Sequence, residues 1–172
     1  WIGRNMDRNG AMHTAFFKEQ HMIGYPDDYV QSPVKHPMNF VADVIMQRGW
    51  DKKTIGVETD AYYYTARSDA ELKKTLGKRT LADGNLLVNW VRIIKSDAEI
   101  ALMQQAGKIA EKVMATALEN LVPGQRECDA VAAVFQAQAS GTPNFGGDYP
   151  AIVPMMPTGE KTSAPHLTWT DD

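Results

Sequence analysis

The sequence holds 172 residues with a net charge of −3. That is enough for one large domain or two small ones, without the excess of Lys and Arg that marks a nucleic-acid or anionic-membrane partner. Its 44% hydrophobic and 23% charged residues are those of an ordinary globular chain, and no apolar run approaches the roughly 20 residues of a bilayer span. The single cysteine, Cys128, excludes an internal disulfide and the usual zinc spacings. Set between Glu127 and Asp129, it reads as a packing residue rather than a nucleophile. A reducing, cytoplasmic setting is expected.

Trp1-Ile2-Gly3 lacks the charged and apolar regions of a signal peptide and reads as the inside of a strand. With Trp169-Thr170-Asp171-Asp172 at the other end, it leads to the expectation that both ends are cut from a longer protein. Residues 1–4 and 10–17 are expected to pair as strands across the polar turn 5–9, with a short extended piece at 22–25. Pro37 suits the first turn of a helix over 37–48, whose apolar face is Met38, Val41, Val44 and Ile45 and whose end is Gly49. A strand follows at 54–58. Ser68 and Glu71 form a capping box for a helix over 68–76, and a further strand lies at 79–82. Strands alternating with helices predict an α/β layer with some parallel pairing.

The dense apolar segment 84–94 bridges into a second domain. Ser96 and Glu99 form another capping box, opening a helix that runs to about residue 121 and is buried over a broad face. Pro123-Gly124 breaks it, and a second helix spans 127–139. Residues 145–169 follow, with Ala151-Ile152-Val153 read as a short buried strand between Pro150 and Pro154. Gly146-Gly147 is a tight turn, since it lacks the strand before and the helix after that a phosphate loop needs. Ser163-Ala164-Pro165 gives a stiff approach to His166. A lone histidine is ordinarily a surface or satisfied core residue, and His13, His21 and His36 are read that way.

His166 is set apart by a resemblance. Ile94-Lys95-Ser96-Asp97-Ala98-Glu99-Ile100, a long helix and Pro123-Gly124 resemble the opening of the pita-bread domain of the creatinase, prolidase and aminopeptidase P superfamily. Phe145, Ile152, Val153, Gly159, Ser163, Pro165 and His166 fall in order on that family's continuation. The segments GYPDDYVQSPVKHPMNFV from Gly24, FGGDYPAIVP from Phe145 and SAPHLTW from Ser163 resemble the ectoine-hydrolysing branch of the superfamily. The resemblance implies a creatinase-type α/β N-terminal domain over 1–90, followed by the start of an α+β pita-bread domain over 91–172. It implies a homodimer acting on a small molecule, with His166 where creatinase has its acid/base histidine and where the superfamily's peptidases have a substrate-binding histidine. The superfamily's peptidases bind two divalent metal ions through Asp, Asp, His, Glu and Glu, all further along than Asp172. No metal ligand and no cofactor is therefore assigned within these residues.

Ectoine is a cyclic amidine, and opening it with water requires a proton to reach a departing nitrogen. A histidine suits that task at neutral pH. Trp169, three residues on, is the candidate for a cation–π face to the amidinium, with Tyr149 and then Asp148 as further pocket residues. Three readings stay open: a metal-free ectoine hydrolase, a two-metal Xaa-Pro peptidase, and a non-catalytic binding module. The side-by-side Asp171-Asp172 reads as a solvated pair.

Overall fold

Ile2–Arg4 (β1) and Ile23–Tyr25 (β2) run parallel, with Ile2 opposite Ile23 and Arg4 opposite Tyr25, in the computed structural model, which describes residues 1–77 and 81–172. The hairpin expected from 1–4 and 10–17 does not form. Asn5–Asp7 makes a turn of 3-10 helix that leads straight into helix α1, Arg8–Thr14. Parallel strands cannot be joined by a tight turn and need a crossover, which α1 supplies. The junction is tied by the Arg4 Nε, which donates to Asp27 Oδ1 at 2.7 Å, and by the Trp1 ammonium, which donates to the His21 carbonyl at 2.9 Å.

The arrangement repeats further on. Ile55–Val57 (β3) and Leu81–Asp83 (β4) are parallel, with Ile55 opposite Leu81. Helix α3, Ala66–Leu76, lies between them in the chain. The strand expected over 79–82 is seen from Leu81 on, while Arg79 and Thr80 lie outside the described residues. Thr65, not Ser68, caps α3: its Oγ1 accepts from the Ser68 amide at 3.1 Å. Ser68 is buried within the first turn, where an N-cap cannot sit.

Helix α2, Pro37–Gln47, begins at an unusual cap. The His36 Nδ1 accepts from the Met38 amide at 3.2 Å, and the Asn39 Oδ1 accepts from the His36 amide at 2.7 Å. Gly49, at φ 67°, follows its end. Ala42 of α2 packs with Leu72 and Leu76 of α3, surrounded by Met38, Val41, Ile45, Ile55, Val57 and Leu81. Asn39 Nδ2 also donates to Thr75 Oγ1 at 2.8 Å, so a polar tie runs beside the apolar contact.

The chain divides into two compact units, Trp1–Ile93 and Ile94–Asp172. The first ends in helix α4, Leu87–Arg92, whose Leu87, Val88, Trp90 and Val91 are all exposed. The second opens with helix α5, Asp97–Glu119, behind the expected Ser96–Glu99 capping box. The Ser96 amide donates to Glu99 Oε2 at 2.7 Å and the Glu99 amide donates back to Ser96 Oγ at 3.3 Å. Helix α6, Glu127–Ser140, packs against α5 and buries Ala130, Val131, Val134 and Ala137. Contrary to expectation, α5 buries no residue, and Leu102 and Leu118 remain 63% and 65% exposed. Its apolar stripe is wider than the side that α6 covers.

No strand forms over 151–153, and among the described residues the second unit has no sheet. Ile152 and Val153 are exposed. A strand persists only beside a partner that takes up its amides and carbonyls. The bend falls just before the double glycine rather than on it, at residues 143–145, where the Thr142 amide donates to the Phe145 carbonyl at 2.8 Å. Gly147 instead allows a close backbone approach, since a Cβ there would fall 1.6 Å from the Gln138 carbonyl oxygen, and its amide donates to the Ala139 carbonyl at 3.2 Å. No helix among the described residues is long and apolar enough to cross a membrane.

Leu76 is 0% exposed, so Leu76→Ala should lower the unfolding free energy of the first unit by about 2–5 kcal/mol. Urea titration followed by circular dichroism reads this directly, and a loss well under 1 kcal/mol would show that the α2–α3 contact is not its core.

Candidate functional site

Among the described residues a dense polar network lies where α6 begins. A helix leaves its first four amides without internal partners. Here the Glu127 amide donates to the Asp172 carbonyl at 2.8 Å and the Cys128 amide to the Thr170 carbonyl at 3.1 Å. Residues 170–172 therefore cap α6 with their backbone carbonyls.

The Glu127 side chain returns the favour. Glu127 is 4% exposed, and a carboxylate so far from water must be met by donors. Its Oε1 accepts from the Thr158 amide at 2.7 Å, from Thr158 Oγ1 at 2.6 Å and from Lys161 Nζ at 3.1 Å. Its Oε2 accepts from the Thr170 amide at 2.7 Å and from Thr170 Oγ1 at 3.0 Å. The Thr158 hydroxyl, followed by the Thr170 and Lys161 bonds, holds the Glu127 carboxyl far below the usual glutamate range. Lys161 also donates to Thr170 Oγ1 at 2.6 Å and to Asp172 Oδ2 at 3.1 Å, and the bond from Lys161 lowers the Asp172 carboxyl as well.

One carboxylate thus grips both ends of the loop 158–170. Within it, Gly159–Ser163 forms a 3-10 helix braced by Thr162 Oγ1, which donates to the Gly159 carbonyl at 2.8 Å, and Ser163 Oγ, which donates to the Glu160 carbonyl at 2.9 Å. Pro165 and His166 occupy the following turn, closed by the Leu167 amide donating to the Ala164 carbonyl at 3.2 Å. His166 is exposed at its crest, on a turn rather than beside a strand. Trp169 is half-buried and meets Phe135 of α6 edge to face, with ring centroids 5.8 Å apart. Tyr149 is 84% exposed.

Neither of two cavities in this unit is lined by His166, Trp169 or Tyr149. A cleft of about 280 Å³ is bounded by residues 120–127, Ala130, Met156 and Thr158, and so shares Glu127 and Thr158 with the network that holds loop 158–170. A second, of about 420 Å³, lies along Ile109, Ala110, Val113 and Met114 and includes Gln138 and Asp148. Sequence reasoning named Glu127 only as a neighbour of Cys128 and missed its role. Its partners lie 31 and 43 residues away, beyond any local pattern. Among the described residues no three His, Cys, Asp or Glu side chains come together as metal ligands would.

Residues 101–172 match Metallopeptidase family M24. Along its length the chain is similar to an uncharacterized hydrolase/peptidase, y4tM, of Sinorhizobium fredii, with 47% identity over 171 residues. It is also similar to the ectoine hydrolase of Halomonas elongata, with 44% identity over 177 residues. Each alignment covers 99% of this chain and 44% of the relative, so the chain spans less than half the length of the curated relatives it matches. The fold is similar to that of prolidase from Pyrococcus furiosus, with a TM-score of 0.69 at 18% identity over 99% of this chain and 46% of that one.

A carboxyl whose folded-state pKa lies below its ordinary value of 4.5 contributes stability that is present above that value and lost as pH falls through and beneath it. Glu127→Gln should therefore be less stable than the parent at neutral pH, with the gap closing as pH drops below about 4.5. Thermal melts across that range test this; a gap that stays constant would show that the charge on Glu127 is not what holds the loop.

Proposed function

From a chain whose residues 101–172 match metallopeptidase family M24, we propose a hydrolase of C–N bonds that opens the ring of ectoine. The observation that carries the proposal is the 44% identity to an ectoine hydrolase along 99% of the chain. His166 is the acid/base group. Water adds to the amidine carbon and gives up a proton to the imidazole. As the ring C–N bond breaks, the departing nitrogen keeps the electron pair and takes that proton from the imidazole, while the added oxygen becomes the amide carbonyl and its second proton also passes to the departing amine. The product is an N-acetylated diaminobutyrate, and the atoms of substrate and water are all accounted for.

Trp169 is proposed as an aromatic wall for the amidinium, fixed at one side by Phe135, with Tyr149 as a further contact. In a protein of its relatives' length, the turn carrying His166 would form one wall of a cavity completed by other residues. Division of the present chain into a creatinase-type domain over 1–90 and part of a pita-bread domain over 91–172 belongs to the same proposal. So do a homodimeric assembly and a cytoplasmic location.

The match to M24, together with 27% identity over 119 residues to the Xaa-Pro dipeptidase of Pyrococcus horikoshii, favours a metal-dependent peptidase as the second reading. Both are tested on the full-length protein supplied in turn with ectoine and an Xaa-Pro dipeptide. Ectoine opening that survives a chelator and falls about 10²–10⁴-fold in His166→Ala is the expected result. Dipeptide cleavage abolished by the chelator would replace the ectoine reading, an unchanged kcat in His166→Ala would remove the histidine from the mechanism, and ectoine binding without turnover would leave a binding module.

A further inference from the structure

We infer that Glu127 is a positioning residue for His166, acting through Thr158 and Thr170 to fix the turn on which the imidazole stands. This rests on the acid/base reading of His166. Glu127 is on the first turn of α6 and touches neither His166 nor Trp169 through any bond described above. It instead holds the residue eight positions before His166 and the residue four positions after it.

The geometry is that of a staple rather than a generic buried charge. The two carboxylate oxygens are divided between the two ends of the loop: Oε1 takes Thr158 and Lys161, and Oε2 takes Thr170. Each threonine offers both its amide and its hydroxyl, so each end is held at two points and cannot swing about a single bond. The planar carboxylate then sets the separation of the two ends. Between them the chain is braced by the 3-10 helix Gly159–Ser163 and stiffened by Pro165. Little freedom is left at the turn that follows, even though His166 is exposed. General acid–base catalysis requires the imidazole to stay within hydrogen-bond reach of the reacting atoms, so a small drift of the turn costs rate before it costs binding.

Glu127→Gln is nearly isosteric but turns one acceptor into a donor, which must then face a backbone amide that can only donate. The staple opens at one end while the helix stays. In the full-length protein, Glu127→Gln should lower the kcat for ectoine opening about 10- to 100-fold and change KM less than about 3-fold. Glu127→Asp, too short to reach both threonines, should not restore it.

The distinguishing measurement is the double variant with His166→Ala, read in single-turnover experiments at high enzyme concentration. If Glu127 acts through His166, adding Glu127→Gln to His166→Ala costs almost nothing further. If the same factor is lost in both backgrounds, Glu127 is merely structural and the inference is overturned. An unchanged kcat in Glu127→Gln beside an impaired His166→Ala overturns it too, while leaving the reading of His166 intact. An impaired Glu127→Gln beside an unaffected His166→Ala overturns that reading itself. Should Glu127→Gln fail to fold, Thr158→Val removes one hydroxyl and keeps the amide bond. It should then show a kcat loss of a few-fold that vanishes in the His166→Ala background, and a loss that persists there would overturn the inference.

Discussion

A negative charge withdrawn from water has to find donors, and at Glu127 every donor described comes from the loop that follows α6. The exchange is reciprocal. The helix offers amides that need acceptors, and the carbonyls of Thr170 and Asp172 provide them. The loop offers threonine hydroxyls, amides and an ammonium, and the helix provides a carboxylate. Neither element satisfies its polar groups alone, so each defines the other. The order of the C-terminal segment, which has no sheet among the described residues, follows from this exchange.

The first unit is organised on a different principle. Its centre is apolar, with Ala42, Leu72 and Leu76 closed over by side chains from β3 and β4. Its strands are only three residues long, and each parallel pair is joined through a helix. Polar contacts there, such as Asn39 to Thr75, reinforce a packing that hydrophobic burial already specifies. In the second unit the roles reverse: α6 supplies a modest apolar face, and a charged hydrogen-bond network fixes the segment that carries the proposed chemistry.

What could be read from the sequence was local. Helices α2, α5 and α6 were visible in their periodicity, and the Ser96–Glu99 box in its spacing, because those signals are complete within a few residues. The α3 cap was misjudged by one turn because Thr65 and Ser68 are both good caps, and only burial of Ser68 separates them. The partners of β1 were misjudged for a different reason. An extended stretch does not say which other stretch it will join, and residues 8–14 turned out to be the crossover. The supposed strand at 151–153 had suitable residues but no neighbour to bond. The Glu127 network was invisible because its parts are scattered over residues 127, 158, 161, 170 and 172, each unremarkable where it stands. The prominence of His166 came from resemblance. Its exposure, and the seating of Trp169 against Phe135, had no signature in the residues themselves.

Helix α5 has no buried residue and shows Leu102, Met103, Met114 and Leu118 to the surroundings. Such a surface binds hydrophobic dyes and detergent, and it makes colloidal behaviour sensitive to concentration and to precipitating salts. Handled by itself at high concentration, this 172-residue chain would be governed less by how well it folds than by how readily its molecules cling to one another.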